Sequence, residues 1–355
     1  MRLTRRGKTV VASAVLALST LPLAQCLASA ERSAASATGS AVDDGNGRPV
    51  TLAFAGDVHF EGPLADAAAH ADTIIGPMAG ALAAADLAVL NLETSVGGKG
   101  TAEPKQYAFD GPANALKSLS ADGVDVVSLA NNHGMDFGVE GLAGTMEAAR
   151  DAGLATIGAG EDAHQAYAPF RTTIDDQRIT VLAATQVLDN SARERWTAGP
   201  DKPGLASAYE QAVLVNAVQQ ARESSDTVIV VLHWGVERDP CPPERAQQLA
   251  LALSAAGADI LVGGHSHVLG GEGFLGSTYV HYGLGNFLFY NSRGPTAETG
   301  VLTLTVRGSE VTDVIWQDGV NRDGVPHPVS DEEQADRERA RQERRACTGL
   351  EASPS

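Results

Sequence analysis

From Val50 onward, short apolar runs alternate with longer alanine-rich stretches. The runs cover residues 51–55, 87–90, 124–129, 179–184, 228–232 and 260–262. Continuous apolar runs of this length, bounded by Gly, Asp or Asn, predict strands buried on both faces. Between them, apolar positions recur at helical spacing and predict helices over residues 63–84, 113–121, 139–152, 208–223 and 243–256. Beyond Gly276 the pattern changes to hairpin-like strands over 278–282, 286–290, 301–306 and 311–316. Strand–helix alternation followed by antiparallel strands predicts one α/β layered domain with mixed sheets, over residues 49–320. No internal repeat interrupts it.

The flanks read differently. Residues 1–30 join a basic start (Arg2, Arg5, Arg6, Lys8) to an uncharged apolar stretch over 9–23, then the small residues Ala28-Ser29-Ala30. That order predicts a secretory signal peptide cleaved after Ala30. The apolar stretch is shorter than the roughly 20 residues a membrane-spanning helix needs. Two alternatives stay open: Leu23-Ala24-Gln25-Cys26 resembles a lipoprotein box with an unusual Gln before the cysteine, and Arg5-Arg6 resembles a twin-arginine signal with a poor sequel. Residues 31–48, rich in Ala, Ser, Gly and Asp, predict a disordered linker. Residues 321–355 form a charged C-terminal tail, in which 331–345 reads as a surface tail or as a solvated helix with ion pairs at helical spacing.

Charge and cysteines narrow the function. The formal net charge is −18 over 355 residues, and loss of the leader would make the body more acidic still. Such a field excludes nucleic acid as a bulk partner and repels polyanions, except where metal ions reverse the sign locally. Removal of Cys26 leaves Cys241 and Cys347 as an even pair in an oxidising compartment. A disulfide between them would tie the tail to the body, but sequence separation alone does not decide the pairing. Export implies an extracytoplasmic protein, secreted or held near the membrane surface.

Five of the nine histidines fall at or just past the predicted ends of strands: His59, His133, His233, His265 and His267. In α/β sheets, ligands gather outside the carboxyl ends of the strands, so these loops can converge. Asp57 and His59, two apart, can share a side of an extended segment and offer oxygen and nitrogen to Mn, Fe or Zn; alone they are also a common loop feature. Glu93 follows a strand and can bridge two cations, or cap a helix. Asn131-Asn132-His133 with Asp136 is the densest cluster: Asn132 offers a carbonyl oxygen, His133 a proton, and Asp136 an orienting carboxylate for the imidazole. His233 ends a strand, where a lone buried histidine is often structural, but Glu237 nearby could support it as a ligand. Gly264-His265-Ser266-His267 points two imidazoles one way. Serine-nucleophile elbows and phosphate-binding glycine loops are absent.

Taken in order, Gly56-Asp57, Asn91-Leu92-Glu93, the Asn131–Gly138 cluster, His233-Trp234-Gly235 with Glu237, and Gly264-His265-Ser266-His267 resemble the CapA family of poly-γ-glutamate capsule synthesis proteins. Tyr107-Ala108-Phe109 before Pro112, Gly158-Ala159-Gly160 and Gly283-Leu284-Gly285-Asn286-Phe287 extend the resemblance across residues 51–290. It implies a four-layer αββα sandwich of two mixed sheets, related to calcineurin-like metallophosphoesterases. It also implies two divalent cations, with Asp57, His59 and His267 on one, Asn132, His233 and His265 on the other, and Glu93 bridging. His133, with Asp136, would stand near the substrate. The chain departs from the metallophosphoesterase pattern in carrying Glu93 where an Asp is usual. It departs from many CapA relatives in carrying His59, and Gly-His-Ser-His replaces a Pro-containing form. Two functions follow: metal-dependent hydrolysis of a phosphoester or polymer bond, or non-catalytic retention of an anionic polymer.

Overall fold

A computed structural model describes residues 48–355, all within one unit. The expected signal peptide, linker and Cys26 fall before that range, apart from Arg48, and so lie outside the described residues. Two sheets organise the chain. The strands, in order, are β1 (Val50–Val58), β2 (Leu87–Leu92), β3 (Val126–Ser128), β4 (Ala155–Ile157), β5 (Phe170–Ile174), β6 (Gln177–Thr185), β7 (Thr227–His233), β8 (Ile260–Gly264), β9 (Glu272–Leu275), β10 (Thr278–His281), β11 (Asn286–Leu288), β12 (Glu298–Arg307), β13 (Glu310–Arg322) and β14 (Val325–Pro328). The first sheet runs β14-β13-β12-β1-β2-β3-β4, with β11 paired to the end of β1; the second runs β9-β10-β8-β7-β6-β5.

Both sheets are mixed, as alternation followed by hairpins predicted. β1, β2, β3 and β4 run parallel, whereas β12, β13 and β14 pair antiparallel. In the second sheet β6, β7, β8 and β10 are parallel, with β5 and β9 antiparallel at the edges. β2 and β7 are buried along their whole length, which is why their sequences read as unbroken apolar runs. One apolar cluster joins Leu52, Phe54 and Val89 to Val181, Ile229 and Val262 across the two sheets. A second packs Leu64, Leu116 and Leu142 from helices onto Leu90 and Val127. A third packs Leu214, Val218, Leu249 and Leu253 onto Leu182, Val230 and Leu232. The carboxyl ends of β1, β2, β3, β7 and β8 are thereby carried into one region.

Two elements differ from expectation. The single helix expected over 63–84 breaks into Pro63–His70, a 3-10 turn at Gly76–Met78 and a short helix at Ala79–Ala83. Gly76 takes φ +70° and Pro77 lacks an N–H, so the chain turns there. The buried Asp122 carboxylate receives the freed amides of Ile74 and Ile75 at 2.6 and 2.7 Å. Strands β4, β5, β9 and β14 were not foreseen, because they are short or lie at edges where polar residues alternate with apolar ones.

The sheet continues past residue 320 to Pro328, and the charged segment after it is a docked helix, α1 (Asp331–Arg345). Ser330 and Glu333 form its capping box. Several of its arginines reach the body rather than pairing only with acids of the helix: Arg337 pairs with Glu298, Arg341 with the buried Asp318 at 2.6 Å, and Arg345 with Glu272. Beyond it, Cys347 is bonded to Cys241, and Glu351 exchanges main-chain hydrogen bonds with Phe274. The bond spans 106 residues of sequence, a constraint worth about 4–5 kcal/mol on a chain-entropy estimate. The double variant Cys241→Ser/Cys347→Ser is expected to lose about 3–5 kcal/mol in denaturant unfolding and to be cleaved first within α1 by a trypsin-like protease. Unchanged stability and an intact helix in the variant would show that the ion pairs alone hold the tail.

Candidate metal centre

Each chemical residue enters the site from the end of a strand. Asp57 lies near the end of β1, Glu93 follows β2, Asn131 to His133 follow β3, His233 ends β7 and His265 follows β8. Two groups of ligand-type side chains form among the described residues: Asp57, Glu93 and His267, and Glu93, His233 and His265, each with candidate atoms within 4.8 Å of one another. Glu93 belongs to both. The Asn132 Oδ1 stands 2.7 Å from His233 Nε2, beside the second group.

Polar contacts fix these positions. Asp57 accepts from Asn91 Nδ2 at 2.8 Å and from the His265 main-chain amide at 3.1 Å, and lies 3.3 Å from His267 Nδ1. His267 Nδ1 also lies 2.8 Å from Asn286 Oδ1, leaving Nε2 towards Glu93 at 3.9 Å. A partner on one imidazole nitrogen orients the other, a common device around metal ligands. Gly264 makes the close approach possible, because a Cβ there would sit 2.3 Å from Asp57 Oδ1. His265 and His267 have φ of +90° and +55°, conformations that cost non-glycine residues of order 1–3 kcal/mol each.

The electrostatics call for a cation. Asp57 and Glu93 are fully buried, and neither oxygen of Glu93 has a hydrogen-bond partner. His265 Nδ1 is likewise buried without one. A carboxylate removed from water with nothing to receive it is strongly disfavoured unless a cation or proton compensates. Burial opposes ionisation of Asp57, but the hydrogen bond from His267 and the charges of His233 and His267 hold its carboxyl well below the usual carboxylate range. Burial also opposes the charged form of His267, yet Glu93, Asp57 and Asn286 outweigh it and hold it up to about 9. Burial, with His233 and His267 adding to it, pushes His265 down to about 2, which leaves a neutral imidazole able to donate to a metal. Nitrogen and carboxylate oxygen together suit Mn, Fe or Zn. The residues present fit a divalent cation.

His59 departs from the expected ligand set. It joins neither group, and its Nε2 accepts the main-chain amide of Tyr290 at 3.2 Å. Its ring is stacked on Phe289 at 3.8 Å and lies edge-on to Phe109 at 4.9 Å. Burial and the neighbouring His133 and His267 push it down to about 3. Its Nδ1 is buried without a hydrogen-bond partner. Glu237 departs as well: it is exposed, and the group beside His233 Nδ1 is Asn91 Nδ2 at 3.3 Å.

His133 and Asp136 meet as expected. His133 Nδ1 lies 2.6 Å from Asp136 Oδ2, and Asp136 is fully buried. Phe109 stacks on the imidazole at 4.3 Å and sends its amide to the same carboxylate oxygen at 2.8 Å. The paired asparagines divide their work. Asn131 donates to Asn91 Oδ1 and Leu92 O and accepts from the His133 amide, whereas Asn132 faces His233. Asn91, Asn131, Asn286 and Lys105 were not foreseen as site residues. Asn91, Asn131 and Asn286 lie inside motifs already singled out, so position was the available signal.

The family described as bacterial capsule synthesis protein PGA_cap matches residues 51–291, which include every site residue named above. The chain belongs to this family. Among PGA_cap relatives, it is 31% identical over 233 residues to the capsule biosynthesis protein CapA of Bacillus anthracis, covering 64% of this chain and 55% of the relative. It is 35% identical over 176 residues to the PGA biosynthesis protein CapA of Bacillus subtilis (strain 168), covering 49% and 45%. A probable polyglutamine synthesis accessory protein of Mycobacterium tuberculosis is 29% identical over 191 residues, covering 52% and 50%. The PGA_cap chain thus spans about half the length of the curated relatives it matches. A hypothetical protein from Thermus thermophilus, solved by crystallography, shares the fold with a TM-score of 0.50 at 16% identity, over 77% of this chain and all of that one.

Replacing Glu93 by Gln removes a buried charge that receives no hydrogen bond and is faced only by His233 at 3.5 Å and His267 at 3.9 Å. Glu93→Gln is expected to raise chelator-treated stability by about 1–3 kcal/mol and to abolish the gain that added Mn²⁺ gives the wild type. Denaturant midpoints with chelator and with Mn²⁺ measure both. A variant that still gains from Mn²⁺ as the wild type does would exclude Glu93 as a ligand.

Proposed function

We propose that this PGA_cap protein is an exported, metal-dependent hydrolase acting on an anionic substrate, a phosphoester or a bond of a glutamate polymer, in capsule or polyglutamate synthesis. The observation that carries the reading is Glu93, buried with both oxygens free between two groups of ligands. On this reading Asp57, Glu93 and His267 hold one divalent cation, and Glu93, Asn132, His233 and His265 a second. The three apolar clusters, one between the sheets and two beneath helices, support a four-layer αββα arrangement of the metallophosphoesterase kind.

The chemistry supplied by cations bound there is polarisation of a phosphoryl or acyl oxygen and deprotonation of water near neutral pH. The chain supplies the rest. Asp136 receives the Nδ1 proton of His133 and so presents Nε2 as the working nitrogen. Phe109 keeps the imidazole in one plane. His133 at 6% exposure is reachable yet shielded, as a group that protonates a leaving oxygen must be. His59 packs its ring against Phe109 and Phe289, which in turn lie against His133 and His267.

Export rests on the basic and apolar order of residues 1–30 and on the Cys241–Cys347 bond, which an oxidising compartment favours. Among the described residues no helix is long and apolar enough to cross a membrane. Association with the envelope by a lipid at Cys26 or by the polymer itself would place the protein at the membrane surface. The accessory name of the Mycobacterium tuberculosis relative favours a second reading, in which the cations dock an anionic polymer without cleaving it.

Incubation of the Mn²⁺-loaded protein with a phosphodiester, a phosphomonoester and poly-γ-glutamate separates the two. Hydrolysis of one of these is expected, and His133→Ala should lower its rate roughly 10²–10⁴-fold with metal content unchanged. Stoichiometric polymer binding that chelator abolishes, with turnover of none of the three, would establish the docking role instead.

A further inference from the structure

Lys105 lies in an irregular connection between two parts of the first sheet, yet its ammonium group is mostly withdrawn from water. Its side chain is 14% exposed, and Nζ lies 2.6 Å from Asp136 Oδ1 and 2.6 Å from the Asn132 main-chain oxygen. It stands 3.4 Å from His133 Nδ1 and 5.2 Å over the Trp196 ring. Surface lysines ordinarily keep their heads hydrated and bury only the stem. Here the lost hydration is offset by a fully buried carboxylate, a carbonyl and an aromatic face.

Asp136 does not depend on Lys105 for partners, since its other oxygen already serves His133 Nδ1 and the Phe109 amide. What Lys105 adds is a hold on the Asn132 carbonyl. The peptide beyond that carbonyl carries His133, and the side chain of Asn132 faces His233 Nε2 at 2.7 Å. The anchoring runs from Lys105 through the Asn132–His133 peptide directly to one ligand group, whereas Asp57 is reached only at a distance, through Asn131 and Asn91.

We infer that Lys105 is a positioning residue that sets the Asn132–His133 peptide and thereby tunes one of the two cation sites, the one built from Glu93, Asn132, His233 and His265. The inference rests on the two-cation reading above. Lys105 itself touches neither cation. A residue that merely braced its own loop would affect both sites alike, through stability; a positioning residue affects one.

Titration of the metal-free full chain with Mn²⁺, followed calorimetrically, resolves the two cases. Wild type is expected to show two binding events, and Asn132→Ala marks which of them belongs to the second site. Lys105→Met, similar in length but without donors, should weaken that event 10–100-fold and leave the other within about threefold, with the thermal midpoint of the metal-free protein little changed. Lys105→Arg, which can still donate to both the carbonyl and the carboxylate, should recover most of the loss. Wild-type affinity at both sites in Lys105→Met overturns the inference, as does equal weakening of both or no recovery in Lys105→Arg. Should Lys105→Met not fold, Lys105→Leu, likewise without donors, is read by the same criteria. A wild-type protein that binds fewer than two cations removes the two-cation reading itself, an outcome visible before any variant is compared.

Discussion

Two carboxylates with no access to water set the terms for the rest of this structure. Asp57 and Glu93 stand where the carboxyl ends of both sheets meet, and three imidazoles and a set of asparagine amides surround them. Asp57 is satisfied by Asn91, by the His265 amide and by His267, whereas Glu93 receives no hydrogen bond. An apolar interior tolerates that inequality if a proton or a further positive charge joins His233 and His267 beside Glu93. The glycines, the unusual backbone at His265 and His267 and the asparagine network all serve to hold the carboxylates where one charge can be shared.

The sheets make this arrangement geometrically possible. Parallel strands put their carboxyl ends side by side within each sheet, and the packing of one sheet on the other makes neighbours of Asp57 and His267. The antiparallel strands β12 to β14 close the first sheet on the side away from β2 and lend β1 a continuous partner below Asp57. Chemistry is thereby separated from stability: the polar cluster occupies the strand ends, and the apolar clusters fill the space beneath.

Much of this was legible in the amino-acid sequence because strand ends are visible there. Apolar runs stopping at Gly-Asp, Asn-Leu-Glu, Asn-Asn-His and Gly-His-Ser-His marked both the strands and the candidate ligands, and His133 with Asp136 three residues on marked a pair that meets in the fold. Residues that act by tertiary contact were not legible. Lys105 sits in an irregular stretch and acquires meaning only from Asp136 and the Asn132 carbonyl. His59 has the right residue type and spacing, but an amide 231 residues away takes its Nε2, and it joins neither ligand group. Glu237 looked like a neighbour of His233 in sequence and faces solvent in the fold, while Asn91, from another strand, takes that place. The charged segment 331–345 shows the same limit, since nothing local reveals that its arginines would find Glu272, Glu298 and Asp318.

The left-handed backbone at His265 and His267 has a consequence for how a ligand is met. The two imidazoles are aimed when the second sheet forms, and Asp57 fastens the loop through the His265 amide before any guest arrives. With the backbone set in this way, an ion bound as proposed would exchange water for nitrogen and oxygen with little movement of the chain. The cost of shaping such a receptor would then fall on folding rather than on binding, and the three-residue turn would carry it.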